Sequence, residues 1–272
     1  MEHSVKVKQF HHKVFDWWEQ ENHHRQLPWR TYDQPQTPYY VLLSEFMLQQ
    51  TQVSRVVTKF NEFLDTYPTL HDLAVGAKSD VISLWQGLGY NRRAIWLHDA
   101  AITLDEMDQY PRHWKEWIKI KGIGPYSARS IPIFAFNKNF AAVDTNIRRI
   151  YIHEGFIDED MSKKEIQAVA DQLIPAGKSR AYHNALMDYG STHLTSSKTG
   201  IKSTSTQKPF EGSTRQYRGK IVSYLTEQHA ASIEEICESI GINQKHCQKL
   251  LNALVTDGLV SYQKNEGFSL PE

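Results

Sequence analysis

The stretch Ile118-Lys119-Ile120-Lys121-Gly122-Ile123-Gly124-Pro125-Tyr126-Ser127-Ala128 decides the fold. One helical pattern ends ahead of it and another begins at Pro125. Two glycines flank a single apolar residue, which lets the backbone approach a second backbone closely. Pro125 suits the first turn of the following helix. The free N–H groups of that turn, reinforced by the helix dipole, hold a phosphate without reading a base. The same residues also read as an ordinary turn between two helices.

Working outward, the apolar period is helical nearly everywhere. Val53, Val56, Val57, Phe60, Phe63 and Leu64 form one stripe, ended by Pro68. Ser162 with Glu165 and Ser232 with Glu235 read as capping boxes. About ten short helices are expected between residues 5 and 195, an all-α body. Pro132 falls inside the helix after the hairpin and predicts a kink. The stretch 191–213 is rich in Ser, Thr, Lys and Gly and reads as a linker. Beyond it, helical patterns over about 214–228, 232–240 and 243–257 precede a hairpin-like end, Leu259–Tyr262 and Phe268–Leu270. Three helices and a two-stranded wing describe a winged helix. The expected organisation is 1–190, a basic linker 191–213, and a winged-helix domain 214–272.

Composition narrows the class. The chain has 272 residues, 40% hydrophobic and 23% charged, with 7 Trp, 13 Tyr and 11 Phe, enough for a full core. No apolar run reaches membrane-spanning length, and residues 1–6 carry no signal core. An intracellular protein is expected, cytoplasmic, or nuclear in a eukaryotic cell. Its two cysteines, Cys237 and Cys247, exclude a disulfide scaffold and a four-thiolate site. His11-His12 and His23-His24 lack metal-ligand spacing, and no metal site is expected. Lys+Arg 31 balances Asp+Glu 31. Yet residues 195–220 hold Lys198, Lys202, Lys208, Arg215, Arg218 and Lys220 against Glu211 alone.

Two carboxylates stand out. Asp144, in Ala142-Val143-Asp144-Thr145-Asn146-Ile147-Arg148-Arg149, sits where a helix starts. It reads as an N-cap, and equally as an anion kept ionised by the dipole beside a cationic sugar. Glu45 is embedded in Tyr40-Val41-Leu42-Leu43-Ser44-Glu45-Phe46-Met47-Leu48. Burial would raise its pKa and suit it to general-acid work; the other reading is an exposed stripe of an amphipathic helix.

Together these motifs resemble the helix-hairpin-helix DNA glycosylases of the endonuclease III superfamily, and within it the MutY-type adenine glycosylases. The resemblance covers roughly residues 8–190, with a short match at Phe210–Gln216. Its motifs are Pro28-Trp29-Arg30, Ser44-Glu45 with Leu48-Gln49-Gln50-Thr51-Gln52-Val53, Trp85-Gln86-Gly87-Leu88-Gly89-Tyr90, the hairpin glycines and Val143-Asp144. It implies two helical subdomains with a cleft between them. It implies that Glu45 protonates an extruded adenine, that Asp144 stabilises the sugar cation, and that Tyr126 and Asn146 position Asp144 and the water. Trp29, Arg30 and Asp188 would line the base pocket. Gln50, Thr51, Leu88 and Tyr90 would fill the duplex, and Gly122 and Gly124 would hold phosphate. The partner implied is double-stranded DNA with a mismatched adenine, bound by a monomer. A monovalent cation at the hairpin belongs to the same resemblance. Tyr126 stands where the strand-cutting relatives carry a Schiff-base lysine, and Lys121 is out of register, so a monofunctional enzyme is expected.

The chain departs from the family twice. Ser191-Thr192-His193-Leu194-Thr195-Ser196-Ser197-Lys198 carries no cysteine where most relatives bind a [4Fe–4S] cluster, so no cluster is expected, as in the clusterless branch. Residues 214–272 are too short and too helical for the Nudix-like domain of many relatives. Lys245, His246, Gln248 and Lys249 lie on the candidate recognition helix, which reads as a DNA grip or as a packing module. Two other functions stay open: removal of another mismatched base such as thymine in T·G, and a non-catalytic winged-helix DNA-binding protein.

Overall fold

The computed structural model describes residues 2–20, 23–202 and 209–272. Lys208 of the basic stretch lies outside them. Among the described residues, fifteen α-helices and one 3₁₀ turn carry the chain, and strands occupy three short segments near its end. Eleven of those helices precede residue 193, close to the number the periodicity predicts. Among the described residues, no helix is long and apolar enough to cross a membrane. The chain divides into two compact units. The first comprises Met1–Val41, Pro111–Lys119 and Ile123–Thr206; the second Leu42–Tyr110, Ile120–Gly122 and Gln207–Glu272.

The first unit packs the helices Glu2–Trp18 and Thr145–His153 against Ser179–Thr192. Its core is Phe10, Val14, Ile147, Ile150, Tyr151, Tyr182, Leu186 and Tyr189, all nearly removed from water. Rings meet edge to face, as between Phe10 and Tyr182 (6.4 Å, 86°), which suits their quadrupoles. The helix Lys163–Gln172 opens with the expected Ser162–Glu165 capping box. The segment after Thr192 is more ordered than linker chemistry implies. Leu194 and Ile201 are buried, and a short helix, Ser196–Thr199, packs on Thr145–His153. Leu194 reaches the existing core of the unit.

The helix Pro125–Phe136 has Gly124 as N-cap and Pro125 in its first turn, as expected. It runs unbroken through the buried Pro132. Asn137 ends it in the left-handed region (φ 51°), with N–H groups of Asn137 and Lys138 donating to Ile133 and Pro132 carbonyls at 2.9 and 3.1 Å. Nothing in the structure explains the choice of proline at 132.

In the second unit, the helix Leu70–Val75 packs on Arg92–Asp105, and Lys78–Leu84 packs on the same helix. Trp85 is fully buried, edge-on to Phe63 at 5.9 Å, and its indole N–H donates to Gly89 O at 3.2 Å. His98 is buried with its Nε2 donating to Gly76 O at 2.9 Å, a packing histidine. The C-terminal segment of this unit holds the helices Thr214–Gln228, Ile233–Ile240 and Gln244–Thr256, within one or two residues of their sequence bounds. The Ser232–Glu235 capping box is present.

The wing differs from the two strands expected. Its sheet has three, with Gly267–Ser269 in the middle, antiparallel to Ser261–Gln263 and to Ala230–Ala231. A two-residue strand shows no alternation, so no sequence pattern marks it. At Gly267 (φ 83°) a Cβ would come within 2.4 Å of Ala231 O, so the third strand requires glycine there.

Gly122 carries the sharpest steric demand of the hairpin. Its φ is +87°, and an added Cβ would lie 2.4 Å from Trp96 Cβ and 2.7 Å from Cγ. Left-handed strain and overpacking act together here. Gly122→Ala should therefore lower unfolding stability by about 2–5 kcal/mol. Denaturant titration beside Gly124→Ala, whose Cβ meets nothing within 4 Å, checks this: equal losses would contradict it.

Candidate active site

Asp144 is the N-cap of the helix Thr145–His153 and half-buried. Its Oδ1 accepts from Ile147 N–H at 2.7 Å, and its Oδ2 from Asn146 Nδ2 at 3.3 Å. The capping reading describes this geometry. Burial nonetheless raises its pKa, against the opposing pull of the Ile147 and Asn146 N–H groups, Arg149 and the Asn146 amide. The dipole alone does not set its ionisation; loss of water is the larger influence.

The Asn146 amide is oriented from behind. Its Oδ1 accepts from Arg149 Nη2 at 2.5 Å, so its Nδ2 must face Asp144. Arg149 is itself buried and donates to Gly190 O (2.9 Å) and Leu194 O (2.7 Å). Gly190 allows this approach: a Cβ there would meet Asn146 Cβ at 2.9 Å. Upstream, Ala142 N–H donates to His183 Nε2 at 3.1 Å, while His183 Nδ1 donates to Ser179 O at 2.7 Å. His183 is buried, and burial pushes its pKa down to about 4. A neutral ring with its proton on Nδ1 thus fixes the segment leading to Asp144. Neither Arg149 nor His183 stands out in the sequence, because the partners that tie them to other segments, Gly190 and Leu194 for Arg149 and Ala142 for His183, lie 41 or more residues away.

Of the three pocket residues expected, Arg30 and Asp188 meet. Asp188 is fully buried and accepts both Nη groups of Arg30, at 2.7 and 2.9 Å. Trp18 Nε1 (3.1 Å), Arg25 N (3.2 Å) and Arg25 Nε complete its shell. Burial alone would raise the Asp188 pKa, but the hydrogen bonds and charges of Arg30 and then Arg25 outweigh it and lower it. Asp188 therefore acts as an anchor for two guanidinium groups. Trp29 is buried, in the 3₁₀ turn Pro28–Arg30. Tyr126 is partly buried in the first turn of Pro125–Phe136. All these residues belong to the first unit.

The second unit holds Glu45, in the helix Thr37–Leu48. Glu45 is 8% exposed, between Leu42, Leu43, Phe46 and Met47, which are completely buried. The exposed-stripe reading fails: this helix is apolar on all sides, as a core helix is. Two turns follow from it. Gln50 is exposed in the left-handed region (φ 57°). Thr51 Oγ1 donates to Leu88 O at 3.1 Å and Arg55 Nη1 to Gly87 O at 3.2 Å, tying the first turn to Gly87-Leu88-Gly89-Tyr90. Leu88 packs inward at 3% exposure, whereas Tyr90, also left-handed (φ 49°), is only partly buried.

A buried cation clamps these turns. Arg93 is 3% exposed. Its Nη1 donates to Phe46 O (2.7 Å) and Met47 O (3.0 Å), and its Nη2 to Thr51 Oγ1 (3.0 Å), Leu88 O (3.1 Å) and Gly89 O (2.7 Å). Burial lowers its pKa to about 10, which leaves it charged at neutral pH.

Comparison with known proteins places this geometry. A family described as HhH-GPD superfamily base excision DNA repair protein matches residues 43–176. The adenine DNA glycosylase of Mycolicibacterium smegmatis is 30% identical over 269 residues, covering 90% of this chain and 91% of that protein. The adenine DNA glycosylase of Homo sapiens is 31% identical over 203 residues, covering 70% of this chain and 37% of that one. The structure of a thermostable thymine-DNA glycosylase superposes with a TM-score of 0.63 at 25% identity, covering 72% of this chain and 91% of that one. A non-covalent endonuclease III–DNA complex gives 0.59 at 20%, covering 74% and 90%. The chain belongs to the HhH-GPD superfamily of base excision DNA repair proteins, and within it to the adenine DNA glycosylases.

The chain holds two cysteines, fewer than the four thiolates that a [4Fe–4S] cluster takes. Cys237 and Cys247 are its two cysteines, both in the C-terminal segment, and the second is buried. Among the described residues, no group of three or more His, Cys, Asp or Glu is placed to hold a metal ion.

His183 yields a pH test. Its folded value near 4 lies below the ordinary 6.5. The neutral ring stabilises the fold fully above pH 6.5, and that stability is lost as pH falls through 4, by about 3 kcal/mol in all. Denaturation midpoints between pH 7 and 4 should fall more steeply for the natural protein than for His183→Gln. Parallel slopes would show that His183 does not carry the effect.

Proposed function

We propose that this protein hydrolyses the N-glycosidic bond of adenine mispaired with 8-oxoguanine or guanine in duplex DNA, leaving an abasic site. Extruding a mispaired base costs less than extruding a paired one, which gives the first selection. Glu45 delivers a proton to adenine N7. The C1′–N9 bond then breaks with its electron pair passing to the base. The sugar becomes an oxocarbenium ion, which the Asp144 carboxylate stabilises, and water adds at C1′ and loses a proton. Asn146 and Tyr126 orient Asp144 and the water. Trp29 and Arg30 contact the base, with Asp188 holding Arg30. Gln50, Thr51, Leu88 and Tyr90 contact the duplex, and the hairpin glycines Gly122 and Gly124 its phosphates.

The observation that carries this reading is the state of Asp144: an oriented carboxylate whose dominant perturbation is loss of water. Such an anion attracts a cation more strongly than a hydrated one. Tyr126 offers no amine, so no Schiff base forms and the strand stays intact. The likeness to a thymine-DNA glycosylase favours thymine opposite guanine as the second reading.

Duplexes bearing A·8-oxoG, A·G, T·G and U·G, treated with alkali after incubation, separate the readings. Product is expected from the two adenine duplexes alone and only after alkali. Glu45→Gln and Asp144→Asn should each slow single-turnover excision by at least ~10² while Kd stays within a few-fold. Product from T·G alone would replace adenine by thymine, and binding without product would mark a non-catalytic protein.

A further inference from the structure

The C-terminal segment is fastened to the very turn that the glycosylase reading sends into DNA. Gln86 Nε2 donates to Thr226 Oγ1 at 2.6 Å. Asp257 receives Arg92 (3.1 Å) from one side and Arg218 (2.5 Å) from the other. Arg215 donates to Tyr90 Oη and its guanidinium lies 5.3 Å from that ring's centroid. The helix Thr214–Gln228 packs on Lys78–Leu84, so these contacts sit within one compact unit. A duplex engaged by Gly87–Tyr90 is therefore held beside this segment.

Charge within the segment is sorted by helix. Glu234, Glu235 and Glu238 are exposed on Ile233–Ile240. From Ser239 to Thr256 there is no Asp or Glu. The helix Gln244–Thr256 buries Cys247, Leu250, Leu251 and Leu254 and exposes Lys245, Gln248, Lys249, Asn252 and Thr256. Lysines at positions 245 and 249 share a face, being four apart. The Gln248 amide donates to Asn252 Oδ1 at 2.8 Å, which sets two amides side by side on that face. Gln244 is turned back onto Glu234 (3.0 Å). The wing adds Tyr262, 57% exposed, and exposed Lys264. Lysine is a phosphate contact, Asn and Gln read base edges, and a second helix presented in this way enters a major groove.

We propose that the face formed by Lys245, Gln248, Lys249 and Asn252 is a second duplex-binding surface, which grips DNA flanking the mismatch. It rests on the glycosylase reading only in taking Gly87–Tyr90 as the DNA-facing turn. Net charge hides such a surface, because the acidic helix beside it cancels the lysines in the sum. The surface adds affinity without touching the reacting base.

The test uses the full chain with Lys245→Gln and Lys249→Gln combined, both exposed and so expected to leave the melting temperature unchanged. Binding to a long A·8-oxoG duplex is measured by anisotropy between ~50 and ~200 mM salt. The slope of log K against log salt should flatten by about 2, with affinity falling about tenfold at the low-salt end. On a duplex trimmed to the mismatch and its immediate neighbours, variant and natural protein should bind alike. Single-turnover excision at saturating enzyme should not change. The paired control, Glu234→Gln with Glu238→Gln, should not weaken binding. An unchanged salt slope, or equal losses on long and trimmed duplexes, overturns the surface and leaves that helix to another partner. Failure of the natural protein to excise any base would instead sink the glycosylase reading, while the slope comparison still decides this one.

Discussion

Each unit depends on a buried guanidinium set against the carbonyl end of a helix. Helix C-termini leave carbonyls unsatisfied and carry partial negative charge. Arg93 takes Phe46 O and Met47 O, at the end of the helix that bears Glu45. Arg149 takes Gly190 O and Leu194 O, at the end of the helix that bears Asp188. Each also gives Nη2 to a second segment: Arg93 to Thr51 Oγ1, Leu88 O and Gly89 O, Arg149 to the amide that faces Asp144. A planar, permanently charged fork with five donors can serve several carbonyls at once; lysine, a point charge, cannot. Removing either would leave a cluster of buried carbonyls unpaired, at a cost of order 1–3 kcal/mol for each.

Asp144 and Asp188 show how one residue type acquires two chemistries. Both lose water. Asp188 gains two arginines in exchange, and its pKa falls, so its charge is balanced within the fold. Asp144 gains backbone N–H groups and an amide, which compensate less, and its pKa rises. Its charge is thus less neutralised by its own surroundings. That asymmetry supports Asp144 as the partner of a transient cation and Asp188 as scaffold, a division drawn by environment alone.

The sequence made the local features readable: capping boxes at Ser162 and Ser232, Pro125 in a first turn, the burial of Glu45 among Leu42, Leu43, Phe46 and Met47. These depend on neighbours within one or two turns, which periodicity reports. What it did not report was long-range. Arg93 and Arg149 look like ordinary helix residues until carbonyls from distant segments arrive, and His183 until the distant Ala142 N–H donates to it. Ala230–Ala231 is too short to alternate. Leu88, expected to fill the duplex, is 3% exposed, and its carbonyl accepts from Thr51 Oγ1 and Arg93 Nη2.

The segment after Thr192 bears on how this chain manages without four thiolates. A cluster would cross-link a loop through bonds to one centre. Here the same stretch is fixed by smaller parts: the Leu194 carbonyl on Arg149, the Leu194 side chain in the apolar core, the burial of Ile201, and the helix Ser196–Thr199 on Thr145–His153. Each is worth on the order of 1–3 kcal/mol, so the loop is held by several weak, separable contacts. Because one of them is Arg149, order in this loop and the orientation of Asp144 are joined through a single side chain. Changes that loosen Leu194 should therefore reach Asp144 by way of Arg149 and Asn146.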